Sequence, residues 1–243
     1  MTSLSLADKV VLVTGASRGI GYQAALEAAR RGAHVITVAR TVGGLEDLDD
    51  EIQASGGSST IVPLDLRESD GIDRLGAAIF SRWGRLDGLV ANAGTLKVLS
   101  PVPHVEPKDF DEVFATNVTA NYRLIRSLDM LLRQAPAGRA VFLTSASLHA
   151  AKPFWGPYGA AKAALDALVR SYASEVATSN LKVNLFDPGP VRTALRAKAM
   201  PGENPETLPM PVEIVPALID LIEPAFGQTR VLVDRVAGTT TPV

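Results

Sequence analysis

Strand-length apolar runs and helix-length amphipathic segments alternate along nearly the whole chain, and few folds accept that pattern. The runs are 9–14 (KVVLVT), 34–39 (HVITVA), 59–64 (STIVPL), 87–91 (DGLVA), 139–144 (RAVFLT), 181–186 (LKVNLF) and 230–234 (RVLVD). Between them, helical spacing marks 19–31, 45–54, 69–83, 107–134, 157–178 and 212–222. The short runs are almost continuously hydrophobic, as strands buried on both faces must be. Regular β–α alternation therefore predicts an α/β fold: a doubly wound parallel sheet of about seven strands, with helices on both faces. Apolar residues make up 47% of the 243, enough to cover both faces, and no break in composition divides 1–243 into more than a single domain. One stretch lacks a period: 194–211 (ALRAKAMPGENPETLPMP) carries four prolines and reads as a loop, a candidate substrate lid.

Composition closes several routes. Net charge is −2 and the basic residues form no block, so neither nucleic acid nor an anionic membrane surface is an expected partner. Absence of cysteine removes disulfides and thiolate chemistry. The histidines His34, His104 and His149 are scattered, so no metal site is expected. No apolar run is long enough to span a bilayer and no signal peptide is visible, so the expected location is cytoplasmic.

The first strand runs straight into TGASRGIG, which places Gly15, Ser17, Arg18, Gly19, Ile20 and Gly21 at the first β–α junction. Glycine permits a tight turn and close approach of a pyrophosphate, while the helix that follows presents free N–H groups and the positive end of its dipole. A loop of this kind at this junction makes the sheet a Rossmann-type one that binds a dinucleotide. The next strand ends in Ala39 and Arg40, without the carboxylate that would hold an unphosphorylated ribose. Arg18 and Arg40 could instead clasp a 2′-phosphate, so NADP(H) is favoured over NAD(H). The alternative is that both arginines simply face solvent.

Tyr158 and Lys162 are four residues apart on one expected helix and share a face. A nearby ammonium favours a phenolate, so this pairing suits a tyrosine that gives and takes a proton near neutral pH. Ser145 ends the fifth strand, where open α/β sheets place their ligands.

Taken in order, TGASRGIG, Asp65, ANAG at 91–94, Asn117, Ser145, YGAAK at 158–162 and DPGPVRT at 187–193 resemble the stations of the short-chain dehydrogenases, over essentially the whole chain. The resemblance implies a catalytic tetrad of Asn117, Ser145, Tyr158 and Lys162. In it Tyr158 is the general acid/base, Lys162 also binds the nicotinamide ribose, and Ser145 orients the substrate oxygen. Asn117 holds a helix kink and a water. It also implies adenine contacts from Asp65 and Leu66, a floor of Asn92, Ala93 and Gly94, and nicotinamide-side contacts from Pro188, Gly189, Val191 and Thr193. The implied reaction is hydride transfer between NADP(H) and a carbonyl or secondary alcohol. Ser147 competes with Ser145 for the serine role. A catalytically silent NADP(H)-binding regulator of the same fold is the alternative function; an epimerase or dehydratase is disfavoured by chain length and glycine spacing. The segment GPVRTALRAKAMPGENPETLPMP at 189–211 is similar to that of a bacterial subgroup of oxidoreductases whose substrates are unassigned.

The expected substrate is a medium-sized free carbonyl or alcohol compound in a pocket of Leu96, Leu148, His149, Phe154, Trp155 and Met200. Pro136 and Ser179 stand where carrier-protein reductases of this family carry basic residues, which argues against a carrier-bound acyl group. Arg192, Arg196 and Lys198 are expected to face solvent. Small residues at Ala160, Ala163, Ala164, Ala167, Ser171 and Ser174 form a stripe suited to close helix approach, which implies a homodimer or homotetramer; packing against the chain's own sheet is the alternative.

Overall fold

The computed structural model describes residues 5–145 and 152–242. Its strands are β1 (Val10–Thr14), β2 (His34–Ala39), β3 (Ser58–Pro63), β4 (Gly88–Ala91), β5 (Arg139–Leu143), β6 (Lys182–Asp187), β7 (Val231–Asp234) and β8 (Thr239–Pro242). They form a sheet in the order β3-β2-β1-β4-β5-β6-β7-β8. Every pairing is parallel except the last, where β8 runs antiparallel to β7. The direction of winding reverses between β1 and β4, which opens a crevice at their carboxyl ends, the place where such sheets hold ligands.

The period of two along β1 assigns the two layers. Val11 and Val13 pack with α1 (Gly19–Arg30), α2 (Val42–Ala54) and α8 (Pro211–Asp220). Val10 and Leu12 pack on the opposite face with α3 (Ser69–Trp83), α5 (Ala120–Gln134) and α6 (Gly156–Glu175). Each fully buried leucine or isoleucine here contributes about 1.5–3 kcal/mol relative to exposure. The alternation of elements is thus fixed by burial on both sheet faces.

Three features depart from the sequence expectation. β8 is an eighth strand, exposed along its whole length, and its polar sequence TTTP carries no hydrophobic signal. It follows a turn at Gly238, whose φ of +64° glycine adopts freely, and Pro242 is tolerated because the strand lies at an edge. The expected helix 107–134 is α4 (Pro107–Phe114) joined to α5 through a π-turn at Ala115–Thr119. Residues 194–211 are not a plain loop: they contain α7 (Ala194–Ala199) and a 3-10 turn at Pro205–Thr207. Thr193 Oγ1 accepts from Arg196 N at 3.2 Å, capping α7. Arg196 then forks onto Glu203 through two bonds of 2.6 Å, fastening the helix to the turn beyond it.

On α6 the small-residue stripe faces outward. Ala160, Ala163, Ala167, Ser171 and Ser174 are exposed and Ala164 is half-buried, while Ala161, Leu165, Val169 and Tyr172 fill the core. No helix among the described residues is long and apolar enough to cross a membrane.

Candidate active site

A cleft of about 640 Å³ runs along the carboxyl ends of the strands, from the glycine loop to α7. Gly15 has φ +67° and Gly19 φ +63°, and a Cβ on Gly15 would lie 2.9 Å from Ala93 Cα. A Cβ on Gly21 would collide with the Gly15 carbonyl. The loop therefore closes only with glycine at these places. The segment after β4 holds it: Asn92 Nδ2 donates to the Thr14 carbonyl at 2.9 Å and to that of Gly15 at 3.3 Å. In return Thr14 Oγ1 accepts from the backbone N–H groups of Asn92 and Ala93 at 3.1 and 3.0 Å. No side chain caps the start of α1, so its first-turn N–H groups face the cleft as donors for an anion. The cradle fits a dinucleotide pyrophosphate.

At the far end of the cleft Ala39 is buried, and both Arg18 and Arg40 line the wall with exposed side chains. Arg40 Nη1 stands 3.8 Å from Asp65 Oδ2, with 59% of its side chain exposed. Asp65 is not an open carboxylate. Arg67 holds it at 2.6 Å and, chiefly through that bond, keeps its carboxyl below the usual range. Leu66 lies buried beside it. Two arginines thus dominate the charge around the second strand's end.

The catalytic candidates converge where β5, α6 and the π-turn meet. Lys162 is 4% exposed, and its Nζ donates to the Leu143 carbonyl at 2.8 Å. That nitrogen lies 5.8 Å from the centre of the Tyr158 ring. Burial pushes the ammonium down to about 8, against a smaller upward pull from the Asp187 carboxylate. Tyr158 retains some accessible surface, yet its packed surroundings, and secondarily Asp187, push the phenol above its usual value. The sequence had suggested a phenol lowered by its lysine neighbour. Here burial dominates, and Tyr158 is a protonated donor at neutral pH. Ser145 lines the same cleft, half-buried at the exit of β5.

Asn117 sits in the π-turn and is fully buried. Its side chain bonds the backbone of Thr95 twice, accepting from N–H at 3.1 Å and donating to the carbonyl at 2.9 Å. The extra residue in the helical turn brings it against the loop after β4, and a Cβ on Gly94 would lie 2.9 Å from Asn117 Oδ1. The kink expected at this asparagine is therefore present, and its function in the fold is to tie the α4–α5 rod to the cleft floor.

On the β6 side, Gly189 has φ +64°, and its N–H donates to Asp187 Oδ1 at 2.9 Å. Pro188, Gly189, Val191 and Thr193 all line the cleft. Phe154 and Trp155 wall a second, smaller cavity of about 240 Å³ that shares Leu96, Trp155 and Tyr158 with the cleft. Trp155 meets the Tyr158 ring edge-on, with centroids 5.9 Å apart. Ser147, Leu148 and His149 lie outside the described residues. Met200, expected in the pocket, lines neither cavity: it caps the end of α7 and is exposed. Arg192 is outside both cavities, exposed as expected, and lies near Met210 Sδ at 3.9 Å; Lys198 is also exposed but on the cleft wall, and Arg196, against expectation, is half-buried there.

The family model for short chain dehydrogenases matches residues 9–204. The chain belongs to this family. A relative in Escherichia coli K12, the uncharacterized oxidoreductase YciK, is 36% identical over 220 residues, 89% of this chain and 87% of that protein. A short-chain dehydrogenase from Escherichia coli CFT073, solved in complex with NADPH, superposes with a TM-score of 0.89 at 34% identity, covering 96% of this chain and 98% of that one. Another from Shigella flexneri 2a strain 301, complexed with NADP, gives 0.86 at 35% identity, covering 91% and 94%. Sequence reading of this short-chain dehydrogenase overlooked two residues that the geometry brings forward. Thr14 organises the floor through its hydroxyl, and Asp187, buried at 2% exposure, acts on both Tyr158 and Lys162. Both stood inside motifs already noted, TGASRGIG and DPGPVRT, but neither type is conspicuous at a strand end.

Proposed function

We propose that this short-chain dehydrogenase is an NADP(H)-dependent oxidoreductase that interconverts a carbonyl group and a secondary alcohol, with Tyr158 as general acid/base. The observation that carries this reading is the shared wall: Tyr158, Lys162 and Ser145 open on the same cleft as the glycine cradle and the arginine pair. NADPH, when bound, supplies the hydride. Tyr158 delivers its phenolic proton to the carbonyl oxygen, Ser145 orients that oxygen, and Lys162 holds the positive charge that stabilises the tyrosinate left behind. Asn117 keeps the floor in register through Thr95. General acid catalysis of this kind is worth about 10²–10⁴ in rate. The preference for a 2′-phosphorylated cofactor is supported by Ala39 in place of a carboxylate and by the neighbours solved with NADP and NADPH.

The substrate is a free small molecule, and the protein works as a homo-oligomer through the outward small-residue face of α6. The test is NADPH oxidation over a panel of ketones and aldehydes, with Tyr158→Phe beside the wild type. Turnover that disappears in the variant while NADPH still binds is the expected result. No NADPH oxidation by the wild type with any member of the panel would reject the activity, and full turnover by the variant would reject the residue.

A further inference from the structure

The charged side chains that line the cleft are distributed unequally. Arg18, Arg40, Lys152, Lys162, Arg196 and Lys198 all contribute to its wall, and the single acid among its described lining residues is Asp65, at the adenine end. Most of these cations have an occupation. Arg18 and Arg40 stand at the end of the cleft assigned above to the 2′-phosphate, Lys162 is buried on the Leu143 carbonyl, and Arg196 is neutralised by its fork onto Glu203. Lys152 and Lys198 remain. Among the described residues, neither has a carboxylate within ion-pair distance.

Lys198 is placed to meet substrate. It projects from α7 across to the loop after β4, where Nζ donates to the Leu96 carbonyl at 3.4 Å. Leu96 walls both the cleft and the smaller cavity, each of which also contains Tyr158. The exposed ammonium thus stands beside a residue that walls both spaces opening on the proposed proton donor. A neutral carbonyl at 3.4 Å is a weak partner, and a carboxylate would form the shorter, stronger charge-assisted bond. Two acids, Glu106 and Asp109, line the smaller cavity, where Asp109 faces Lys97 at 3.8 Å.

We propose that the substrate carries a carboxylate as well as its reacting carbonyl or alcohol group, and that Lys198, assisted by Lys152, binds this carboxylate. The inference rests on the oxidoreductase reading above and names the substrate class of that same site. Lys198 is solvent-exposed, as expected, and the proposal gives that exposed ammonium a ligand. In this arrangement α7 acts as the specificity element: its cap at Thr193 lies next to the glycine loop and its last turn carries the ammonium.

The experiment measures binding apart from turnover. Protein saturated with NADP⁺ is titrated calorimetrically with 4-carboxybenzaldehyde, levulinate and acetoacetate, each beside its methyl ester. The acid of at least one pair binds about fivefold tighter than its ester, the size expected for a partly exposed ion pair. That preference falls to parity in Lys198→Gln, persists in Lys198→Arg, and shrinks as salt rises. NADPH affinity stays unchanged in both variants. Equal affinity of acid and ester in every pair, or no binding of any acid, overturns the proposal. A loss of NADPH affinity in Lys198→Gln also overturns it, because the lysine then serves the cofactor. Failure of the oxidoreductase reading is seen separately, as absence of NADPH oxidation with the acids, their esters and neutral carbonyls alike.

Discussion

Replacing Lys162 by methionine should make the protein more stable at neutral pH while abolishing its activity. The side chain is 4% exposed, and burial lowers its ammonium from 10.5 to about 8. Because the folded-state value lies below the unfolded one, the unfolded chain binds more protons between these limits, and wild-type stability rises with pH across that window. The charged form therefore costs the native state about 3 kcal/mol at pH 7, about 2 kcal/mol at pH 9 and less than about 1 kcal/mol at pH 10. Methionine fills similar space without the charge, but it strands the Leu143 carbonyl, a loss of about 1 kcal/mol. The net gain at pH 7 is about 2 kcal/mol, or roughly 4–8 °C in Tm for a chain of this size. It shrinks to nothing near pH 10 and reverses above. Urea unfolding of wild type and Lys162→Met at pH 7, 9 and 10, without added cofactor, reads this directly. A variant less stable than wild type at pH 7, or a difference that does not change with pH, would refute the argument that burial of charge governs this site.

The remaining expectations need simpler assays. Ala39→Asp should shift preference from NADPH toward NADH by at least about tenfold, since a carboxylate repels the 2′-phosphate; fluorescence titration of both cofactors reads it, and unchanged selectivity would count against the arginine site. Tyr158→Phe should lower kcat by about 10²–10⁴ with NADPH affinity within about twofold of wild type, because only the phenolic oxygen is removed. Light scattering should show a dimer or tetramer at micromolar concentration, and Ala163→Arg, on the exposed face of α6, should reduce its mass. A wild-type monomer would reject that interface.

Much of the fold was legible because burial on both sheet faces writes itself into sequence. Each of the seven parallel strands begins and ends within one residue of its apolar run. What stayed hidden had physical reasons. β8 is an exposed edge made of threonines, so its pairing comes from backbone geometry after the Gly238 turn and leaves no hydrophobic period. α7 is six residues long, too short for periodicity, and is held by a cap and by the Arg196–Glu203 fork, both of which need coordinates to be seen. The π-turn adds one residue to a helix that otherwise keeps its amphipathic pattern on both sides, so 107–134 read as a single rod. Candidate site residues were legible where type and spacing are both special, as with Tyr158 and Lys162, which the fold brings to one cleft. A common residue whose placement depends on the fold gives no such signal, as with Lys198, which only the coordinates put on the cleft wall at the end of α7.

Asp187 shows how environment changes the chemistry that spacing suggests. Four-residue separation brings Tyr158 and Lys162 to one helix face, and from that alone the ammonium should draw the phenol down. The folded chain adds two influences that spacing does not reveal. Burial disfavours charge on both groups, raising the phenol and lowering the ammonium, while the carboxylate at the end of β6 raises both. For Tyr158 the two influences add, so the phenol keeps its proton. For Lys162 they oppose, and Asp187 keeps the ammonium from falling further, close to physiological pH, where it can both remain charged and exchange its proton. The proposed acid is therefore protonated before reaction, and the neighbouring cation has a proton affinity near that of the medium. Removing the Asp187 charge would weaken the cation and the held proton together, a smaller effect than the burial that dominates both groups, so burial first and this carboxylate second, rather than the Tyr–Lys spacing, bias the protonation state of the site.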